Sequence, residues 1–443
     1  MFPMSRLALH GGTPVRFKPF PAYRPIGHEE VEEVRSVVES GILSKFLGVW
    51  HEDFYGGPQV RAFEAEWAEA YKAKYAISVN SCTSGLYAAV GAAGIGPGDE
   101  VIVSPYTMTA SATAAIIFNG VPVFADIDPS TYCLDPESIR QRITPRSKAI
   151  IVVHLFGQAA DMDPIMDLAN RHGIIVIEDC AQSPGATYKG RPVGTLGHLG
   201  VFSLNYHKHI HSGEGGVITT NDDELAERCQ LIRNHGEAVV EAKGTKNLVN
   251  IIGFNFRLGE IEAAIGRSQL KKAHSLIARR KNNVVYLEDK LSGLPGLKMP
   301  TVGKDSVHVY YVHALSYAKA VTGVHRDRVV QALRAELPVT EMREEEGPLV
   351  SAGYAKPLYL QPMYQNLVGY GSVSCPFKCP HYGGTPNYRE GLCPVAEKAY
   401  SETLISNELM RPPMSKADLD DVAKAFHKVF ENLDQLVGDR EAS

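Results

Sequence analysis

The sequence predicts an α/β protein, a three-layer, mainly parallel sheet followed by a smaller α+β domain. Three observations carry that prediction. Between Tyr75 and Thr220, short and often β-branched apolar runs alternate with amphipathic stretches. The runs are continuous rather than alternating with polar residues, as befits strands covered on both faces. Beyond Pro295 and Pro300 the alternation stops and a different, sparser pattern begins.

The expected strands are Tyr75 to Val79, Val101 to Ser104, Val121 to Ala125, Ala149 to His154, Ile174 to Ile177, Gly200 to Leu204 and Val217 to Thr220. Helical stretches separate most of them: Ser84 to Ala93, Thr109 to Phe118, Pro136 to Ile143 and Pro164 to His172. Leu258 to Leu291 reads as one long helix, with Leu258, Ile261 and Ile265 on a single face. After it come a strand-like run His308 to His313, a helix from Arg326 to Leu337 and a final helix from Ser415 to Leu436. Between those helices, Pro357 to Pro394 is rich in Pro, Gly, Tyr and Cys and reads as an ordered insertion. The expected division is a large domain over 1–292, with an amino-terminal arm over 1–50, and a small domain over 293–443.

At 443 residues the chain is long enough for one large and one smaller core. The net charge of -5 leaves no basic footprint for nucleic acid. No apolar stretch reaches the roughly 18 residues of a membrane span, and Met1 to Arg6 lacks the apolar core of a secretion signal. Cys82, Cys133, Cys180 and Cys229 are scattered singly through expected core elements, as reduced thiols of a cytoplasmic protein are. Cys375-x3-Cys379-x-His381, with Cys393 following, has the look of a loose metal site. Zinc ligands repeat in tighter pairs, so a packed loop without metal is expected.

In open parallel sheets, ligands sit at the carboxyl ends of the strands. Asp179 and Asn80-Ser81 fall at such ends, and Ser203 and Lys208 lie at or just past theirs. Ser81-Cys82-Thr83-Ser84-Gly85 joins a strand to a helix, where hydroxyls and backbone N–H groups can cradle a phosphate. Taken alone, those residues read more readily as a plain helix cap, and only the company they keep raises the phosphate reading. Asp179 alone could cap a turn, and Lys208 alone could be a solvated surface lysine. Together they are what pyridoxal 5'-phosphate needs: an amine to hold it covalently and a carboxylate to keep its ring nitrogen protonated. Gln182 can hydrogen-bond the ring hydroxyl. His207, His209 and His211 read as a polar rim. Gly94-Ile95-Gly96-Pro97-Gly98 precedes a strand instead of following one, the wrong context for a dinucleotide turn.

Phe202-Ser203-x4-Lys208-x4-Gly213-Glu214-Gly215-Gly216, with Glu178-Asp179-x-Ala181-Gln182, resembles the DegT/DnrJ/StrS group of aminotransferases, of the aspartate aminotransferase superfamily and fold type I. Gly98-Asp99-Glu100-Val101, Arg233-Asn234-His235-Gly236 and Gly253-x-Asn255-x-Arg257-Leu258 are similar to further motifs of that group, so the likeness runs through most of the chain. The resemblance implies that Lys208 holds the cofactor and moves the substrate proton. Asp179 would pair with the ring nitrogen, Gln182 with the ring oxygen, and Thr83, Ser84 and Ser203 with the phosphate. Asn255 would reach the phosphate of a second subunit, making a homodimer with shared sites. Where the group usually stacks an aromatic on the ring, this chain has Thr107-Met108, so Met108 or Tyr106 would cover it. Cys82 stands where glycine is frequent.

The implied activity moves an amino group from glutamate or glutamine to a nucleotide-linked keto-sugar or a keto-cyclitol. Histidine in place of Lys208 would have implied a dehydratase. Two alternatives share the fold: an aromatising dehydratase on a cyclic ketoacid, which calls for a dedicated cation in the pocket, and a non-catalytic regulator. No spacing in the sequence identifies that cation, and no basic helix-turn-helix module stands at either end.

Overall fold

The computed structural model describes residues 6–437. The expectation at Met1 to Ser5, the missing secretion signal, lies outside them. Nine strands appear before the long helix: β1 (Tyr75–Val79), β2 (Glu100–Val103), β3 (Val121–Phe124), β4 (Ser147–Val153), β5 (Ile175–Asp179), the short β6 (Thr187–Tyr188) and β7 (Arg191–Pro192), β8 (Leu199–Ser203) and β9 (Gly216–Thr220). Seven of them form one sheet in the order β1-β9-β8-β5-β4-β2-β3. β9 runs antiparallel to both neighbours, and the remaining pairs are parallel. Every residue of β2, β8 and β9 is buried, on both faces of the pleat. That double burial is why these segments read as unbroken apolar runs. The expected α/β fold with a mainly parallel sheet is the one observed, and six parallel strands bring their carboxyl ends to a single edge.

The helix Cys82–Ala92 starts directly from β1, capped by Ser81, whose side chain accepts the N–H of Ser84. Gly216 makes this close approach possible. A Cβ there would lie 2.7 Å from the Ser81 carbonyl carbon, so a side chain would push β9 away from the turn.

After the helix Glu260–Leu291, β10 (Leu297–Lys298), β12 (His313–Tyr317), β13 (Val350–Ala352) and β14 (Leu404–Asn407) form a second sheet, wholly antiparallel, in the order β10-β12-β14-β13. β11 (Ser306–Val307) instead joins β6 and β7 in a small ribbon. The long helix belongs to two hydrophobic cores. Ala263 and Ile277 pack with the large sheet, whereas Val284, Leu287 and Leu291 pack with the small one. Leu7 and Phe20, from the amino-terminal arm, enter the second core. The final helix is Lys416–Phe430, capped reciprocally by Ser415 and Asp418, with a separate turn at Leu433–Leu436.

One expected strand is corrected. His308 to Val312 is not a strand; β12 begins only at His313. Tyr310 takes a left-handed conformation with φ 52°, which breaks the pleat. The N–H groups of Val309 and Tyr311 are spent instead on the carbonyls of Gly157 and Phe156, at 2.8 and 2.7 Å. The segment is thereby docked against the carboxyl edge of the large sheet.

The expected insertion is ordered and has a structural role. Tyr359, Tyr364 and Tyr388 surround Phe124 with ring centroids 5.6, 5.4 and 5.5 Å away. The Tyr388 hydroxyl donates to Pro122 O at 2.8 Å. Pro122 has no N–H to offer, and the insertion covers the rest of this edge strand. Among the described residues no helix is long and apolar enough to cross a membrane.

Candidate active site

A cavity of about 400 Å³ opens at the carboxyl edge of the large sheet. Its walls bring together Thr83, Met108, Asp179, Gln182, Ser203 and Lys208, six of the eight residues expected to bind or act. Ser81, Cys82, Tyr311 and Tyr354 complete much of the lining.

Asp179 ends β5 and is buried. Its Oδ2 accepts the hydroxyl proton of Ser111 at 2.7 Å, and Oδ1 accepts the N–H of Ala181 at 3.1 Å. Thr107 Oγ1 lies 3.2 Å from Ser111 Oγ, extending the chain of hydroxyls. Burial raises the Asp179 carboxyl above its ordinary range, against the pull of Ser111, Ala181 and Lys208. The carboxylate is thus poised for a cationic partner. Lys208 follows β8 by five residues; its Nζ is 3.4 Å from the Tyr311 hydroxyl and 4.4 Å from the centre of that ring. Gln182 Oε1 accepts the Phe156 N–H at 2.8 Å, and Nε2 donates to the Tyr354 hydroxyl at 2.9 Å.

The other two expected residues lie elsewhere. Ser84 is beneath the turn, its hydroxyl donating to Asn80 Oδ1 at 2.6 Å and 2.8 Å from Ser81 Oγ. Asn255 is outside the cavity and accepts from Arg257 Nε at 2.8 Å. Of the two candidates for covering a ring, Met108 stands on the rim, 65% exposed, while Tyr106 is fully buried behind Tyr354. Cys82 lines the cavity, and burial followed by the charge of Asp179 lifts its thiol well above the usual value. His207 also lines the cavity. Burial and then Arg343 and Arg411 pull it down to about 4, so it is neutral near pH 7.

Behind Asp179 lies a fully buried pair the sequence did not reveal. Glu178 accepts the N–H groups of Gly194, Leu196 and Gly197 at 2.6–2.7 Å, and His154 Nε2 is 2.8 Å from its Oε2. His154 Nδ1 accepts the Ala160 N–H at 3.1 Å, which places the ring proton on Nε2. With Cys180 these two residues come within ligand distance of one another. Every one of their hydrogen-bonding groups already has a protein partner, so the cluster reads as the bolt holding β4, β5 and the 194–197 turn together. Cys375, Cys379, His381 and Cys393 do not form a comparable group among the described residues.

Tyr311, Tyr354 and Ser111 are the site residues that sequence reasoning missed. A signal existed for Ser111: it stands in the first turn of the helix Ala110–Ile117, which leads off from the strand-end turn that carries Thr107.

A model of the DegT/DnrJ/EryC1/StrS aminotransferase family matches residues 26–378. The chain is 34% identical, over 415 residues, to the spore coat polysaccharide biosynthesis protein SpsC of Bacillus subtilis (strain 168), covering 92% of this chain and 96% of that protein. It is 33% identical over 440 residues to the L-glutamine:2-deoxy-scyllo-inosose aminotransferase of Streptomyces kanamyceticus, covering 97% of each. Among solved structures, the aminotransferase from Psychrobacter cryohalolentis superposes with a TM-score of 0.78 at 32% identity, covering 94% of this chain and 100% of the other.

Proposed function

Because the chain belongs to the DegT/DnrJ/EryC1/StrS aminotransferase family, we propose that it moves an amino group from glutamate or glutamine to the ketone of a nucleotide-linked sugar or a cyclitol. The observation that carries this reading is the presence of Lys208 and Asp179, an amine and a buried carboxylate, in the walls of one cavity. Similarity to a keto-cyclitol aminotransferase over almost the whole of both chains supports the cyclitol class, and similarity to a polysaccharide biosynthesis protein supports the sugar class.

The enzyme's cofactor is pyridoxal 5'-phosphate. The cavity fits it: an amine, a carboxylate already held by two donors, and the hydroxyls of Thr83 and Ser203 beside the start of the helix Cys82–Ala92. When bound, this group serves as the electron sink for the substrate carbon that loses or gains a proton. Lys208, the amine in the cavity wall, would hold it covalently and would carry the proton lost or gained at the substrate carbon. Asp179, kept in place by Ser111 and Ala181, would pair with the ring nitrogen and keep it protonated. Thr83 and Ser203 would hold the phosphate, with Ser84 bracing the turn from beneath. Gln182, its carbonyl fixed by Phe156, would offer an amide N–H to the ring oxygen. Met108, on the rim, would cover the ring face with its thioether.

Asn255 serves the cavity of a second copy in a homodimer. Exposed Leu43, Leu47, Val49, Trp50, Leu248, Val249 and Ile252 support such a contact. Lys243 lies over the Trp50 ring at 5.4 Å, which brings the two exposed stretches to one region. Sedimentation velocity is expected to give twice the chain mass; a monomer at micromolar concentration refutes the shared site. We place the boundary between large and small domains at 292/293, and the enzyme in the cytoplasm, which suits seven unpaired cysteines.

The acceptor is tested with a panel of keto-sugar nucleotides and keto-inositols, each assayed for amine formation with glutamate and with glutamine. Amination of one class and not the other is expected. Failure of every acceptor, with cofactor bound, refutes this substrate assignment.

A further inference from the structure

The outer margin of β3 borders a second cavity, of about 230 Å³, which the later part of the insertion closes. It shares no lining residue with the active cavity. Glu100 and Val121, which open β2 and β3, place it at the amino edge of the sheet, away from the carboxyl edge where Asp179 stands. The one carboxylate in its lining is spent. Glu100 is buried, and its Oε1 accepts from Arg146 Nε at 3.0 Å and from the Tyr382 hydroxyl at 2.9 Å. Its Oε2 accepts the Thr144 hydroxyl at 2.5 Å.

Arg142, the last residue of the helix Pro136–Arg142, lines the same cavity and is left over. Its Nη2 donates to Leu392 O at 3.0 Å, while its Nε is buried without a hydrogen-bond partner. No carboxylate pairs with it among the described residues. Arg140, two positions earlier, is by contrast held by both oxygens of Glu137, at 2.7 and 2.5 Å. A buried N–H left unmade is costly, and more so on a cation. Arg146 has its Nε committed to Glu100, and its guanidinium carbon lies over the Tyr382 ring, 5.5 Å from the centre. Two guanidinium groups against one carboxylate leave this lining with an excess of positive charge.

We propose that this cavity binds a phosphate group, as the free ion or as a small monoester, between Arg142 and Arg146. A planar guanidinium fork matches phosphate oxygens, and Arg142 still has a donor to give. The cavity is smaller than the roughly 300–1,000 Å³ of sites for drug-sized ligands, so its occupant is small. Beside the arginines the walls are apolar. Val121, Pro122 and Leu392 contribute to them, and the Tyr382 and Tyr388 hydroxyls are spent on Glu100 and on Pro122 O. The bound group ties the helix Pro136–Arg142 to the insertion that covers β3. It therefore acts on stability and not on the chemistry of the distant active cavity, and the assignment does not rest on the aminotransferase reading.

The test titrates the holoenzyme, whose active cavity is filled by the cofactor, as wild type, Arg142→Gln and Arg142→Lys. Inorganic phosphate and phenyl phosphate are the two probes, followed by calorimetry at matched ionic strength. Arg142→Gln should weaken phosphate binding about 10- to 100-fold, with KM, kcat and the visible band of the bound cofactor unmoved. Saturating phosphate should raise the melting temperature of the wild type and leave that of Arg142→Gln in place. Arg142→Lys keeps the charge and loses the fork, so its affinity should fall in between. It carries the same test if the glutamine variant does not fold. Tighter binding of phenyl phosphate supports a monoester as the occupant, and tighter binding of inorganic phosphate supports the free ion. Equal affinity in wild type and variants seats the phosphate elsewhere and overturns the proposal, as does a wild type that binds neither probe at millimolar concentration.

Discussion

Lys208→Ala is expected to lower turnover by at least about 10,000-fold, and to abolish the visible absorbance that the wild-type protein gains with pyridoxal phosphate. Lys208 is the one lysine among the described residues lining the cavity. Its loss therefore removes both the covalent attachment and the group that carries the proton. Stability should hardly change. The amine contributes only a 3.4 Å contact to the Tyr311 hydroxyl and a ring contact to the same residue. Circular dichroism and a melting curve close to wild type, alongside lost turnover, would separate chemistry from folding. Appreciable turnover by this variant would remove Lys208 from the reaction.

Asp179→Asn has the second largest expected effect, and it acts in opposite directions on activity and on stability. Neutralising one side of a buried charge pair costs about 2–5 kcal/mol, so turnover should fall about 30- to 3,000-fold. The cofactor-free protein should gain. Burial holds the Asp179 carboxyl above its ordinary range, so the folded chain binds that proton more tightly than the unfolded chain does. Stability from this group is then present below the ordinary value of about 3.9 and is lost as pH rises through the raised one. Asparagine has no such proton to lose. Cofactor-free Asp179→Asn should melt above wild type at pH 8, with the gap closing on acidification toward pH 4. A wild type that melts higher at pH 8 would show that Asp179 is not strained by burial.

Much of the fold and the centre of the site was legible because both depend on local pattern. β5 is an apolar run closed by an acid, and the Lys208 segment lies between two runs of the same kind. Cys375 to Cys393 was readable as a packed loop from its composition, although nothing in the sequence said that it would cover β3. Tyr311 was hidden for a physical reason. Its neighbours His308 to His313 carry the period of a strand, and only the bonds to Phe156 and Gly157, together with the left-handed Tyr310, turn that segment toward the cavity. Ser84 and Asn255 were named from a motif. The structure sets both outside the cavity of their own chain, one beneath the turn and one beyond the wall.

The covered edge of the large sheet also bears on how the protein is made. Tyr388, whose hydroxyl seals the Pro122 carbonyl, follows it by 266 residues. At about 5–20 residues per second on the ribosome, β3 leaves the tunnel some 10–50 s before its cover does. During that interval the newborn chain presents an open, pairing-competent margin to its neighbours on the same polysome. The proline in that strand, by withholding one N–H, blunts this hazard until the late segment arrives.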